Sequence, residues 1–442
     1  MNDSPSIRVA PHHARCLAVQ WRKALGALAV ALGLTACSDR KADAPLASAP
    51  QATTVAASGP VTSPVVPAVA AAAPPVAPTS LPIQSFDDAV LSAAHKLLAN
   101  APAATAERLP LVIDPLIDGV TGAQTQASRN MGERLAALIQ QQHPQFEVLP
   151  FNATSVARSP LILLGTLTGV NQERKAEGRR EAYRIWFTLA DLKSGKIVSK
   201  GMAFSTTDGV DTTPTAYFRD NPVWAQDSAT QGYLGTCQGS KAGDAISPLY
   251  LEKLAAAAWL AEAIAAYDAG QYKQALSYYQ GAAELPAGHQ LRTYAGLYLT
   301  HLKLGQTQAA MQAFGQMVDH GLEQKKLSLK FLFRPGSTAF MSDTNAKLYP
   351  LWLTEVSKRS QTRQACLQVT GHTSASGPEP VNERLSLLRA EFIKGEIKRR
   401  EPALAPRLIA AGAGSRETLI GNGRDNESDA LDRRVEFVVL PC

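Results

Sequence analysis

The chain has 442 residues, with 44 Lys and Arg against 38 Asp and Glu. Residues 1–36 contain four of the basic residues and one acidic residue, so the remainder carries 40 basic and 37 acidic side chains, a net charge of +3. This weak charge, with no Lys or Arg run interleaved with aromatic residues, excludes the composition of a nucleic-acid-binding protein.

The first 36 residues have the pattern of an export signal. Basic residues precede an apolar run at 24–33, and the residues LTAC at 34–37 follow it. This ending resembles a bacterial lipobox, which implies cleavage before Cys37 and acylation of that cysteine; several acyl chains anchor a protein stably. The residue after the cysteine is Ser38 and not an aspartate. In bacterial lipoproteins this implies placement in the outer membrane, with the chain facing the periplasm. The alternative is an ordinary signal peptide with an accidental cysteine.

Residues 37–82 are rich in Ala, Pro, Val, Ser and Thr and almost lack charged and aromatic side chains. Such a composition cannot bury a core. We predict a disordered tether that spans roughly 35 Å as a coil and roughly 130 Å at full extension. No later apolar run reaches the length of about 18 residues that a membrane-spanning helix needs.

Residues 83–210 alternate helical and strand patterns, which predicts a layered α/β domain. Helices are predicted at 86–98 and 127–141. Strands are predicted at 109–113, 146–150, 161–167 and 183–189. This order, with a DPLIDGVTG loop at 114–122, loosely resembles the periplasmic lipoprotein fold shared by CsgG, FlgO and LpoB, and the resemblance implies an assembly or activator protein.

Three polar residues of that loop, Asp114, Asp118 and Thr121, have two interpretations. They would suit a bound ion or phosphate, or they would start turns by bonding their own backbone beside Gly119 and Gly122. No Lys follows in the spacing of a phosphate-binding loop, which favours turns. We therefore predict no metal and no cofactor.

Residues 211–250 mix polar and aromatic side chains and predict a long loop, with a functional surface loop as the alternative. A repeat then appears in 251–326, where the segments around Gly270 and Gly305 align 35 residues apart. A helix is predicted at 251–266, with repeat helices at 263–267, 275–285, 294–304 and 309–318. This pattern resembles about two tetratricopeptide repeats, whose period is 34 residues. The resemblance implies a groove for an envelope protein partner; a helical spacer is the alternative. Because three repeats are usually needed for stability, we expect these to lean on a neighbour.

The segment 367–390 predicts a strand, a turn and a helix. Its distinctive residues, together with two later elements, are Gly371, His372, Thr373, Gly377, Asn382, Leu385, Ser386, Arg389, Ala390, 412–414 and 432–437. In this order they resemble the signature of the OmpA-like peptidoglycan-binding domain. The resemblance covers 327–442 and implies a mixed four-stranded sheet backed by helices.

The resemblance also implies a ligand and its contacts. In the family an Asp takes the ammonium of diaminopimelate and an Arg takes its carboxylate. The Arg position is Arg389, whereas the Asp position is Ser374. Glu379 and Glu383 are candidates to replace the missing acid. In the alternative, one of them pairs with Arg389 in a pocket that no longer binds peptidoglycan. The peptidoglycan-binding residues implied are Gly371, His372, Thr373, Ser374, Asn382, Arg389 and Arg433.

Three cysteines remain once Cys16 is removed and Cys37 is lipidated, and an oxidising periplasm favours one disulfide. In the OmpA-like fold the strands that contain Cys366 and Cys442 are implied to be antiparallel neighbours. The resemblance therefore implies a Cys366–Cys442 bridge and a free Cys237. The eight His residues lack metal-binding spacing, and no Cys has a nucleophile setting, so we expect no enzyme.

Two functions are consistent with these patterns. One is a non-enzymatic outer-membrane lipoprotein that binds peptidoglycan and scaffolds an envelope assembly. The other is a periplasmic regulator of a cell-wall synthase or surface-structure complex, in which the wall pocket no longer binds diaminopimelate strongly. The predicted fold is multidomain α/β plus α, ending in an OmpA-like sandwich. The predicted domains are 1–36, 37–82, 83–210, 211–250, 251–326 and 327–442.

Overall fold

A computed structural model describes residues 81–102, 107–176, 180–224, 227–342, 346–419 and 429–442. The predicted signal, Cys37 and nearly all of the tether lie outside these residues. The described ranges belong to one compact unit, Val76–Cys442. Within them, no helix combines the length and the apolar character needed to cross a membrane.

The first half of this unit is a seven-stranded mixed sheet. The strand order is β1-β7-β6-β5-β2-β4, and β3 also pairs with β5. Strands β5, β6 and β7 form an antiparallel meander, whereas the remaining pairs are parallel. The strands are β1 Ile83–Gln84, β2 Leu109–Ile113, β3 Ile117–Asp118, β4 Phe146–Leu149, β5 Leu161–Val170, β6 Ala182–Asp191 and β7 Lys196–Ser205.

Helices cover both faces of this sheet. The first is α1, Phe86–Leu98, which begins after Ser85, whose side chain accepts a hydrogen bond from the Asp88 backbone. It packs directly on β7, since a Cβ added to Gly201 would lie 1.9 Å from the Ala93 carbonyl oxygen. The others in this part are α2 Gln126–Gln142 and α3 Ala153–Val156. The layered arrangement agrees with the sequence prediction, although β1, β3 and β7 were not predicted.

The predicted long loop at 211–250 is wrong. It contains helices α4, Ala216–Asp220, and α5, Ser228–Cys237, and it ends where α6 begins at Pro248. Helix α5 is poor in helix-forming residues, but Tyr233 within it is buried and its hydroxyl donates to the Gly165 carbonyl at 3.0 Å. Tertiary packing therefore stabilises a helix that local propensity disfavours.

Two helical hairpins follow, formed by α6 Pro248–Asp268, α7 Tyr272–Ala283, α8 Leu291–Lys303 and α9 Thr307–Glu323. Gly270 and Gly305, the aligned glycines, have φ angles of +74° and +73° and end α6 and α8 in equivalent turns. The predicted helices at 251–266 and 263–267 are one continuous helix, because no breaker interrupts the Ala-rich run between them.

The last part contains a four-stranded mixed sheet in the order β10-β9-β11-β8. Strands β9 and β10 are parallel, and β11 is antiparallel to both β9 and β8. This confirms the predicted mixed four-stranded sheet. Its elements are β8 Lys326–Leu329, α10 Tyr349–Thr362, β9 Cys366–Gly371, α11 Glu379–Arg400, β10 Leu408–Gly412 and β11 Val435–Leu440.

One hydrophobic core joins the helical hairpins to this last sheet. Trp352 of α10 stacks on Phe314 of α9 with ring centroids 5.5 Å apart, and its indole nitrogen donates to the Tyr298 hydroxyl at 2.7 Å. The hairpins thus pack against a neighbouring part of the fold, as the sequence predicts. A cut at residue 326 would pass through this core.

Candidate functional site

The signature turn lies between β9 and α11, at residues 372–378. It begins at Gly371, where the strand passes so close to the helix that an added Cβ would lie 2.0 Å from the Ser386 carbonyl oxygen. Asn382 is buried at the start of α11 and donates from its side-chain amide to the Gly377 carbonyl at 3.3 Å. Gly371 and Asn382 therefore position the turn. The predicted strand, turn and helix are confirmed.

His372 is the first side chain of the turn and is 1% exposed. Its Nδ1 lies 3.7 Å from the Glu417 carboxylate and its Nε2 lies 4.0 Å from that of Glu436, both too far for a hydrogen bond. Neither ring nitrogen has a hydrogen-bond partner among the residues described. Burial and then the positive charge of Arg434 lower the pKa of His372 to about 3. The imidazole is therefore neutral at pH 7, with one donor and one acceptor.

Thr373 adds a third buried polar atom. Its backbone donates to the Gly414 carbonyl at 2.9 Å, but its hydroxyl, in a residue 2% exposed, has no hydrogen-bond partner in the described part of the chain. Most buried polar groups in proteins are paired with protein or water. These two adjacent side chains therefore have three unpaired polar atoms, whose hydrogen bonds a ligand or water would supply.

Arg389, which the resemblance implied takes the ligand's carboxylate, is fully buried. Its guanidinium donates to three backbone carbonyls, those of Ser337 at 3.0 Å, Arg334 at 3.1 Å and His372 at 3.3 Å. It also lies over the Phe333 ring, 5.2 Å from its centroid. Two of the carbonyls belong to residues 333–337, which we call the covering segment. Arg389 ties this segment to the signature turn.

Arg433 has a similar structural position. It is buried, and its Nε donates to the Phe333 carbonyl at 3.0 Å. Both arginines of the predicted site therefore contact backbone carbonyls of the covering segment. A bound carboxylate would have to replace or supplement those carbonyls at Arg389.

Glu379 and Glu383, the two acids that the sequence offered near Ser374, both contact residues of the loop after β10. Ser415 donates to Glu379 through its backbone at 3.2 Å, and Arg416 pairs with Glu379 at 3.4 Å and with Glu383 at 3.2 Å. The alternative in which either acid pairs with Arg389 differs from the structure, because Arg416 pairs with both acids and Arg389 bonds backbone carbonyls. The hydroxyl of Ser374 lies 2.9 Å from that of Ser376 within the turn.

Sequence reasoning missed a buried ion pair beside the turn. Arg434 contacts Glu436 at 2.9 Å, and Lys326 lies 3.3 Å from the same carboxylate. Burial alone would raise the pKa of Glu436, but the positive charges of Arg434 and Lys326 hold it below its ordinary value. The available signal was the alternation of charged residues at 434 and 436, which places both on one face of a strand.

Structure distinguishes the roles of the three loop residues at 114–121. The Asp118 carboxylate accepts from the Thr121 backbone at 2.7 Å and from its hydroxyl at 2.9 Å, as the turn interpretation predicts. Asp114 instead accepts from the Tyr250 hydroxyl at 2.6 Å in a cavity between modules. Asp114 and Asp118 thus serve different structures.

The cysteines are arranged as the resemblance implied. Leu440 is the strand partner of Cys366, so the chain end returns to the start of β9, and Cys366 is bonded to Cys442 with their Cα atoms 5.4 Å apart. Cys237 is free and buried. Burial raises the pKa of its thiol to about 12, which keeps it in the unreactive protonated form.

Comparison with known proteins found no matching family model and no matching curated protein. Solved structures resemble part of the chain. The peptidoglycan-associated lipoprotein from Burkholderia pseudomallei is 19% identical over 27% of this chain and 92% of that one, with a TM-score of 0.23. The cell wall anchor of the T6SS from Pseudomonas aeruginosa is 23% identical over 26% and 81%, with a TM-score of 0.22. The OmpA-like domain of FopA1 from Francisella tularensis is 17% identical over 26% and 76%, with a TM-score of 0.21.

Proposed function

We propose that the chain is a non-enzymatic outer-membrane lipoprotein that binds peptidoglycan through residues 327–442 and scaffolds an envelope assembly. The main support is the unpaired and buried set of His372 and Thr373 polar atoms, in the turn that carries the OmpA-like signature. The helical hairpins, with their resemblance to tetratricopeptide repeats, would supply the surface for a protein partner. The lipobox would anchor the chain at Cys37.

The missing acid has a candidate substitute in Glu417. Its carboxylate lies 3.7 Å from the His372 ring, and its side chain is 65% exposed. In our proposal Glu417 binds the ammonium group of diaminopimelate. In the family this group is bound by the Asp whose position Ser374 occupies here. A charge-assisted hydrogen bond contributes about 1.5–3 kcal/mol, so Glu417→Gln should weaken binding roughly 10–150-fold. Glu383→Gln is the matched control, since Glu383 is also exposed but pairs with Arg416.

Cosedimentation with purified sacculi tests wall binding directly. Ser374→Asp should strengthen binding, because it restores the family's anion. Arg389→Ala should abolish binding, because it removes the guanidinium that holds the signature turn at the His372 carbonyl. Arg384→Ala, an exposed change on the same helix, should have no effect. Circular dichroism identifies variants that fail to fold, and equal binding by all folded variants would refute the site.

The anchor has its own test. Cys37→Ala should prevent labelling with palmitate and release the chain from membranes. Cys16→Ala, within the predicted signal, should change neither. Retention of Cys37→Ala in the outer-membrane fraction would show that the anchor lies elsewhere.

A second function is favoured by two observations, the full burial of Arg389 beneath the covering segment and Ser374 in place of Asp. These features would weaken diaminopimelate binding, as expected of a regulator whose α/β domain acts on a cell-wall synthase. The two functions are distinguished by adding the full chain to a purified synthase and measuring the synthase rate, alongside binding of the chain to sacculi. A changed synthase rate without sacculus binding supports the regulator, whereas sacculus binding with an unchanged rate supports the tether.

A further inference from the structure

A cavity of about 410 Å³ lies between the first sheet and helices α5, α6 and α8. This volume is in the range of small-molecule sites. One wall is aliphatic and comes from a single face of α6, formed by Ala257, Leu260, Ala261, Ile264 and Ala265. Their spacing of three and four residues is that of one helical stripe. The small alanines leave room along the helix for an apolar body.

The remaining wall carries more positive than negative charge. Arg129, Lys253 and Arg292 line the cavity. Arg129 pairs with Asp268, which also lines it, and Arg292 lies 3.7 Å from Asp227. Lys253 contacts Glu252, whose side chain is largely exposed and does not line the cavity. The cavity therefore presents cations that suit an anionic group.

Asp114 adds little negative charge below neutral pH. Burial raises its pKa to about 7, against smaller opposing effects of the Tyr250 hydrogen bond and the Arg292 charge. A carboxyl that stays largely protonated below that pH does not repel a bound anion strongly.

Gln290 contributes an unsatisfied acceptor. The residue is 2% exposed, and its side-chain amide donates to the Ala287 carbonyl at 3.2 Å. Its side-chain oxygen has no hydrogen-bond partner within the described ranges. Because a buried acceptor without a partner is costly, a ligand that donates a hydrogen bond here gains affinity.

We propose that this cavity binds an aliphatic carboxylate that carries a hydroxyl group. The hydrocarbon lies along the α6 wall, the carboxylate lies near Lys253 and Arg292, and the hydroxyl donates to the side-chain oxygen of Gln290. This site is separate from the signature turn and does not depend on wall binding.

Isothermal titration calorimetry with decanoate and 3-hydroxydecanoate tests the ligand class. The full chain carrying Cys37→Ala avoids detergent, which would compete with both acids. One molecule should bind per chain, and the hydroxy acid should bind about 3- to 10-fold more tightly, the worth of one hydrogen bond. Gln290→Met should remove this preference. Lys253→Gln should weaken both acids several-fold, whereas the exposed Lys273→Gln should not.

A cavity-filling pair tests the location. Ala261→Phe places a ring in the cavity and should reduce binding at least 10-fold. Ala255→Phe adds the same ring on an exposed position of α6 that does not line the cavity, and binding should be unchanged. If Ala261→Phe fails to fold, Lys253→Gln still tests the site. Absence of saturable binding, equal affinity for the two acids, or full binding by folded Ala261→Phe would overturn the proposal.

Discussion

Replacement of Asp114 by Asn tests how much the buried carboxyl lowers stability as pH rises. Burial raises the pKa of Asp114 from 3.8 to about 7, even though Tyr250 donates to it at 2.6 Å. Between these pH values the folded chain holds a proton that the unfolded chain has released, so the free energy of unfolding falls as pH increases. At about 1.4 kcal/mol per pH unit, the loss approaches about 4 kcal/mol above pH 7.

Urea denaturation at pH 5 and pH 8, followed by circular dichroism, measures this loss. Over that interval Asp114 should account for about 2–3 kcal/mol of the wild-type decrease, from the same linkage. Asp114→Asn keeps an acceptor for the Tyr250 hydroxyl but has no charge to bury, so its decrease should be smaller by that amount. Asp208→Asn makes the same chemical change at an exposed site and should behave as wild type. Equal pH dependence in wild type and Asp114→Asn would refute the reasoning.

Two further predictions concern covalent structure and the shared core. Cys366→Ser opens a bridge between residues 76 apart in sequence and should reduce stability by about 4 kcal/mol, measured by urea denaturation. Non-reduced peptide mapping that found Cys237 paired would contradict the assignment. Phe314→Ala removes the ring stacked on Trp352 and should cost about 3–5 kcal/mol. Hydrogen exchange should then show weaker protection in β9 and β11 as well as in α9; a loss confined to α9 would show that the modules are independent.

Elements with complete local signals were predictable from sequence. Helix α1 matches its predicted bounds, because Ser85 supplies a cap and the apolar residues follow helical spacing. Strand β2 also matches, because it ends in the β-branched pair Val112 and Ile113 shortly before Pro115. Gly270 and Gly305, which align in the sequence, lie at two equivalent helix ends.

Elements that depend on distant contacts were not predictable. Strand β7 contains Lys200, whose ammonium reaches the Ser240 carbonyl and lies 4.8 Å from the Trp186 ring centroid. A charged residue in the strand thus finds partners that local sequence does not reveal. Helix α5 depends likewise on burial of Tyr233 against β5. In both cases tertiary contacts outweigh local propensity.

The candidate site divides in the same way, into side chains that the fold uses and side chains that it leaves for a ligand. Gly371 and Asn382 fit the turn against α11, and Arg389 and Arg433 bond backbone carbonyls of the covering segment. A sequence signature records these structural requirements together with any ligand contacts, so it cannot separate them. Hydrogen-bond pairing in the structure adds a criterion that the signature lacks. Because Arg389 already donates to backbone carbonyls, the unpaired His372 and Thr373 atoms of the turn are stronger candidates for ligand contact.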